Sequence, residues 1–428
     1  MGLWSAFSVT PILVAGTGRS GTTAVMAQLG VEPRIAFDRV YPYENRYLTY
    51  WAKCALLAER PGGLSAFTSD QLCNFKNSEF GARPWPTTTP ADGDALALST
   101  SESLAALWHG FVEGVRRRRP GATHVAEKAP AWLPATLRRV TPVRTIYLVR
   151  DPRDVFLSAN AFNRARGFLA FGRDESDTDR EYALKLAYAW LQYFENQRVD
   201  QDDAMTIRFE DFMQDRAASV RRIGEFLSLD LRPDESAGSE HLPIHQTSSS
   251  LEQTVGRWRR EPLDSSAAAL LEAMLHEAMA FNGYPLSGSS RPVAELPLTE
   301  FQTSSPDGAC SLTDRGHLQA EIRGADFWIE TPAEGLSTRP IAEIWTCLRG
   351  NVGEHCSLYW RRPGEIFDQG RSVHSPFCPG DHWQIIRFVP AGHEHWHGRL
   401  AGIRLDLCNN PARAGRAEIR WIRLIPAD

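Results

Sequence analysis

Residues 11–29 constrain this chain more than any other stretch. An apolar run, Pro11-Ile12-Leu13-Val14-Ala15, passes directly into Gly16-Thr17-Gly18-Arg19-Ser20-Gly21-Thr22-Thr23, and an apolar helical pattern follows. Strand, glycine-rich turn and helix together make an anion cradle, because backbone N–H groups and the positive end of the helix dipole both face the turn. Further β-like runs at 124–126, 145–149 and 205–209 alternate with helical patterns. One helix is expected over about 101–118, where Leu104, Leu107, Phe111 and Val115 share a face and Ser99 with Glu102 fits a capping box. Alternation of this kind predicts an α/β fold, a P-loop-like parallel sheet flanked by helices, over residues 1–285.

The pattern then changes. Residues 286–299 are crowded with Pro, Gly and Ser and read as a linker. Beyond it, 342–347, 356–360, 403–407 and 418–424 alternate with period two and no helical stretch intervenes, so 300–428 is expected to be an all-β sandwich or jelly roll. A chain of 428 residues is too long for one core and fits two to three domains. A net charge of −5 argues against a nucleic-acid partner. No apolar run reaches the ~18 residues of a transmembrane helix. The uncharged start lacks the basic residues of an export signal. Seven cysteines, an odd number with no CxxC spacing, point to free thiols and a cytoplasmic location.

The spacing Gly16-x-x-x-x-Gly21 fits a nucleotide phosphate loop with one departure. Thr22 stands where a Mg²⁺-dependent kinase or NTPase carries its Lys, and the positive charge sits inside the loop at Arg19. That arrangement suits an anion held without metal. Arg19-Ser20-Gly21-Thr22-Thr23 resembles the 5′-phosphosulfate loop of sulfotransferases that use 3′-phosphoadenosine 5′-phosphosulfate (PAPS). The resemblance implies that Arg19 contacts the phosphosulfate and that Ser20, Gly21, Thr22 and Thr23 supply donors. Cytosolic members carry a Trp next, where this chain has Ala24.

Two further segments extend the resemblance. In the run 145–162, Arg150 and Ser158 lie eight residues apart and resemble the family's 3′-phosphate site. Arg offers a fixed fork of donors to a phosphate, and a hydroxyl from the next helix adds another. Val255-Gly256-Arg257-Trp258-Arg259 resembles the segment that closes over the nucleotide, which adds Arg257 and Trp258 to the expected cofactor-binding residues, with Ser250 and Arg259 as further contacts. The Arg-Lys-Gly triplet of cytosolic members is replaced by Leu251-Glu252-Gln253.

A base is needed to take the acceptor's proton. Glu127, in Val125-Ala126-Glu127-Lys128-Ala129-Pro130, resembles the Glu-Lys-Ser/Thr-Pro motif of heparan sulfate sulfotransferases, which implies the base role, with Ala129 in place of the hydroxyl residue. Lys128 is expected to offset developing charge, so Glu127, Arg19 and Lys128 form the expected catalytic set. The plain alternative for Glu127 and Lys128 is a surface ion pair. Glu44 and His245 are rival bases, and Glu210-Asp211 reads as structural.

Residues 300–428 resemble carbohydrate-binding β-sandwiches through 358–365 and 403–406, and six of the thirteen tryptophans lie there. His393, His395 and His397 would share a face on a strand and bind metal, or sit in a loop between Pro390 and Gly398. The expected reaction is sulfuryl transfer from PAPS to a hydroxyl or amine of a glycan, glycoconjugate or small metabolite, with no metal required. The alternatives are a P-loop kinase, which would want Lys at position 22, and a glycan-binding protein with an inactive transferase domain.

Overall fold

The computed structural model describes residues 9–56, 90–238, 247 and 251–427, except 38, 45, 201, 325, 352–354, 378–379 and 409–413. The chain forms two compact units, one from the residues up to Trp51 together with Ala105–Pro292, the other including Val293–Asp428.

The first unit is built on strands β1 (Thr10–Ala15), β2 (Ile35–Ala36), β3 (His124–Ala129), β4 (Arg144–Val149) and β5 (Ala204–Arg208), in the order β2-β3-β1-β4-β5. Every pairing is parallel. β1 and β4 are buried at every residue but the first, which is why they read as continuous apolar runs. The register aligns Ala15 with Ala129 on one side and with Tyr147 on the other. Three neighbouring strands therefore end close together, and Gly16, Lys128 and Arg150 emerge along one carboxyl edge, where α/β sheets place ligands.

The helices of this part of the chain are α1 (Thr22–Leu29), α2 (Tyr47–Leu56), α3 (Pro90–Arg118), α4 (Pro152–Arg166) and α5 (Asp179–Gln197). Ile12, Val14, Ile146, Leu148 and Ile207 pack with Val25, Met26 and Leu29 of α1 in one core cluster. α4 starts where the sequence dictates: Asp151 caps it by accepting from the Arg153 N–H, and Pro152 occupies a first-turn position where its missing N–H costs nothing. α3 begins at Pro90, so Ser99 lies inside the helix and not at a capping box. The Ala/Leu-rich turns before it propagate the helix.

The second unit pairs two antiparallel sheets. One has the order β11-β10-β13-β8, from β8 (Phe327–Pro332), β10 (His355–Arg361), β11 (Ser372–Pro376) and β13 (Gly402–Cys408). The other has the order β12-β9-β14-β7-β6, from β6 (Gly308–Leu312), β7 (Leu318–Ile322), β9 (Ile341–Gly350), β12 (Gly380–Phe388) and β14 (Gly415–Pro426). Leu358, Trp360, Ile403 and Leu405 of the first sheet meet Ile344, Leu348, Ile419 and Ile422 of the second in one core. The expected fold class is what the chain adopts: a parallel sheet flanked by helices, followed by a β-sandwich. Around the unit boundary, Ser287 donates from its N–H and hydroxyl to Glu272, while the Leu296 N–H donates to the Ile422 carbonyl. Among the described residues no helix is long and apolar enough to cross a membrane.

Candidate active site

The glycine-rich loop has the shape its residues require. Gly21 caps α1 at φ 98°, a left-handed backbone that L side chains rarely adopt, and a Cβ there would lie 2.6 Å from the Phe209 ring. A Cβ on Gly16 would sit 2.5 Å from the Leu148 carbonyl oxygen. Ser20 is fully buried and its hydroxyl donates to the Thr17 carbonyl (2.7 Å), which tightens the turn. Arg19 itself has φ 68°. A non-glycine residue held there stores of order 1–3 kcal/mol of strain, a recurrent mark of functional loops. No side chain caps α1 and its first turn holds no acidic residue, so the dipole end beside Thr22 and Thr23 faces the loop.

Arginines gather on this loop. Arg19 Nε donates to Ser158 Oγ at 3.2 Å, which joins the loop to α4. Arg150 donates to the carbonyl oxygens of Arg19 (3.0 Å) and Thr254 (2.8 Å). Arg150 is 3% exposed, and its Nε has no hydrogen-bond partner. Arg257 reaches the same place through Thr247: its guanidinium donates to Thr247 Oγ1 (3.3 Å), which lies 3.4 Å from Ser158 Oγ. Burial first, and then Arg150, hold the Arg19 guanidinium down at about 10. Burial also lowers Arg150. A cluster of this sign in a desolvated place favours an anion.

Trp258 lies beside this group. Its ring covers the Arg153 guanidinium at 3.5 Å. Arg153 is committed to structure, pairing with Asp151 (2.7 Å) and Glu272 (2.7 Å). Asp154, fully buried one helical turn before Ser158, accepts from the N–H groups of Gly256 (2.7 Å) and Trp258 (2.9 Å). Burial raises its pKa. The sequence reading passed over Asp154, although its i, i+4 spacing to Ser158 on α4 was readable.

Adjacent residues of a strand point to opposite faces, and β3 sends Lys128 and Glu127 apart. Lys128 Nζ donates to Thr23 Oγ1 (2.8 Å), the Pro42 carbonyl (2.7 Å) and Glu44 Oε1 (3.1 Å). It is therefore at the phosphate loop, and burial lowers its pKa against the pull of Glu44. The Glu44 side chain remains 50% exposed. Glu127 faces α2 instead. Its carboxylate accepts from the N–H groups of Leu48 (2.7 Å) and Thr49 (2.9 Å) and from Thr49 Oγ1 (2.7 Å), so it caps the first turn of that helix. Glu127 is 4% exposed, and burial pushes its carboxyl up to about 7 despite those bonds. His245 and Ser250 lie outside the described residues. Arg259 rests over the Trp258 ring (4.9 Å).

In the sandwich, His393–His397 lies between β12 and β13 in a stretch without strand structure. The rings of His393 and His395 are 5.7 Å apart, while His397 Nε2 is 3.0 Å from the Arg362 guanidinium. No group of three or more metal-binding side chains occurs among the described residues. The outward face of the β11-β10-β13-β8 sheet carries Trp328, Tyr359, Arg404, Asp406 and His374 in two cross-strand rows.

Comparison with known proteins places the first unit. The family described as "Sulfotransferase family" matches residues 11–233, just over half of the chain. Sulfotransferase 2A2 of Rattus norvegicus is 34% identical over 97 residues, which is 22% of this chain. That match spans about a third (34%) of the relative's own length. Among solved structures, the sulfotransferase domain of the Synechococcus PCC 7002 olefin synthase aligns with a TM-score of 0.40 at 17% identity, covering 66% of this chain and 98% of that one. The xylan-binding module CBM86 of Roseburia intestinalis aligns with a TM-score of 0.25 at 8% identity, covering 31% of this chain and 95% of that module.

Proposed function

Because this chain belongs to the sulfotransferase family, we propose that its first unit moves a sulfuryl group from PAPS to an acceptor hydroxyl or amine. The observation that carries the donor assignment is Arg150. It is buried, its Nε has no hydrogen-bond partner, and no carboxylate among the described residues pairs with it. A phosphate beside Ser158 meets that need, and the 3′-phosphate is the part of PAPS that a metal-free fork of donors reads best. Arg19, Ser20, Gly21, Thr22 and Thr23 would hold the 5′-phosphosulfate, and Arg257 with Trp258 would border the nucleotide.

PAPS is a substrate consumed in each turnover, and it supplies a sulfuryl group on a phosphate leaving group. The acceptor gives its proton to a base as its oxygen or nitrogen bonds to sulfur and the bond from sulfur to the phosphate oxygen breaks. A sulfated acceptor and 3′-phosphoadenosine 5′-phosphate (PAP) remain. We assign the base to Glu44 rather than Glu127. Glu44 is half exposed beside Lys128 at the loop, whereas both oxygens of Glu127 are already taken by α2. Glu127 then serves as a positioning residue, since it fixes the helix that begins three residues after Glu44. Arg19 and Lys128 offset charge growing on the leaving phosphate.

For the acceptor we propose a glycan, with the sandwich as the part that holds it. The support is the sheet face bearing Trp328 and Tyr359, since such rings offer a flat apolar surface with polar edges to a sugar. Calorimetry tests the donor assignment: PAP should bind far more tightly than 5′-AMP without Mg²⁺, and equal affinities would refute it. Transfer of label from ³⁵S-PAPS to oligosaccharide fractions tests the acceptor.

A further inference from the structure

The segment carrying Arg257 is fixed by a carboxylate that touches no ligand-facing atom. Asp154 is fully buried in the first turn of α4, four residues before Ser158. Its Oδ2 accepts from the Gly256 N–H (2.7 Å) and its Oδ1 from the Trp258 N–H (2.9 Å). The two bonds flank Arg257 on either side. Gly256 adopts φ 63° where the two bonds are made. Two more contacts secure the same stretch: Arg150 donates to the Thr254 carbonyl (2.8 Å), and the Trp258 ring lies on the Arg153 guanidinium (3.5 Å). Arg257 Nε donates to Glu261 (2.6 Å), its other end points at Thr247, and Thr247 points at Ser158.

We propose that Asp154 is a positioning residue for the nucleotide: it pins residues 254–258 to α4 and acts through Arg257. This rests on the nucleotide reading given above. One carboxylate serves two N–H donors, and an amide of the same size cannot. Asn offers one acceptor, and its NH₂ group meets the second N–H head on. The segment should then lift from α4 and carry Arg257 away from the Ser158 side of the site. Glu44 and Lys128 stand on other elements, so the chemical step should be spared.

The test is a double-mutant cycle read by PAP binding, using the full chain. Asp154→Asn should weaken PAP by about tenfold, within the range of coupled neighbours, and Arg257→Ala by a similar factor. The double variant should be no weaker than Arg257→Ala alone. In turnover, the KM for PAPS should rise by more than kcat falls. Gly256→Ala supplies a gentler version, since it strains the left-handed residue while keeping Asp154. It should also weaken PAP, and that loss should vanish in the Arg257→Ala background. Additive effects of Asp154→Asn and Arg257→Ala overturn the proposal. If Asp154→Asn does not fold, unchanged PAP affinity in Gly256→Ala overturns it just as well. Wild-type protein that fails to bind PAP overturns the nucleotide reading itself, and the inference with it.

Discussion

The two units use arginine in opposite ways. In the sandwich, four arginines that lie over tryptophan rings also have a carboxylate: Arg387 over Trp345 with Glu343, Arg404 over Trp328 with Asp406, Arg349 over Trp383 with Glu418, and Arg423 over Trp421 with Glu295. Arg153 in the first unit follows the same pattern, between Trp258, Asp151 and Glu272. Arg150 does not. It lies over the Phe209 ring at 4.3 Å, and its guanidinium donates to the neutral carbonyls of Arg19 and Thr254. Removing a charge from water costs several kcal/mol unless something offsets it. In these five arginines the carboxylate and the ring together make the side chain scaffolding. Among the described residues Arg150 makes no such ion pair and feels only the more distant carboxylates of Asp154 and Glu210, which leaves room for a ligand's charge.

The largest effect expected in the first unit is on chemistry. Glu44→Gln keeps the shape and removes proton acceptance, so turnover should fall by about 10²–10⁴ with PAP affinity little changed. Glu127→Gln should cost turnover far less, since it only loosens the cap of α2. A steady-state assay of the two variants settles which carboxylate is the base, and the reverse order would return the role to Glu127. Next comes Arg150→Ala, which should weaken PAP by about 10–150-fold, the ~1.5–3 kcal/mol of a charged hydrogen bond. Its thermal midpoint should change little, because no ion pair is broken while Asp154 and Glu210 lose a nearby positive charge. The sandwich counterpart, Arg404→Ala, should do the opposite: unchanged PAP affinity and a lower midpoint, because Asp406 is left buried and alone. Calorimetry and a thermal scan on the same preparations read both.

Much of this was legible in the sequence because it is local. The loop around Arg19 and the pair Arg150/Ser158 are set by spacing within one strand, one turn and one helix. The reading of Glu127 as base rests on resemblance to a four-residue motif, Glu-Lys-Ser/Thr-Pro. Strand alternation says that Glu127 and Lys128 face opposite ways, but only the fold shows that Lys128 takes the face with Thr23 while Glu127 meets α2, whose residues lie 78–79 positions earlier. β2 spans two residues, too short for any period to show. In β8, Phe327, Ile329 and Thr331 point inward, but Trp328 on the other face blurs the alternation that reveals β10 and β13.

The smallest effect is a slope with pH, and the two units should differ in its sign. Glu127 is held up at about 7 by burial, against an ordinary value of 4.5. A carboxyl raised on folding binds its proton more tightly in the native state. Its contribution to stability is therefore full below about pH 4.5 and is lost as pH rises through about 7, at no more than ~1.4 kcal/mol per pH unit. Glu418 in the sandwich runs the other way. Burial alone would raise it, but bonds from His317 and Arg349 bring it below the ordinary value. Its contribution is present above the unfolded value and is lost as pH falls through the depressed one. Hydrogen exchange read peptide by peptide, corrected for the intrinsic effect of pH, separates the units. Between pH 5 and 8 protection of β3 and α2 should fall, while β14 should stay level and weaken only in acid. Glu127→Gln should flatten the first trend and leave the second untouched. A β3 trend that survives Glu127→Gln would mean that another group in the first unit titrates there, and the contrast would no longer rest on Glu127.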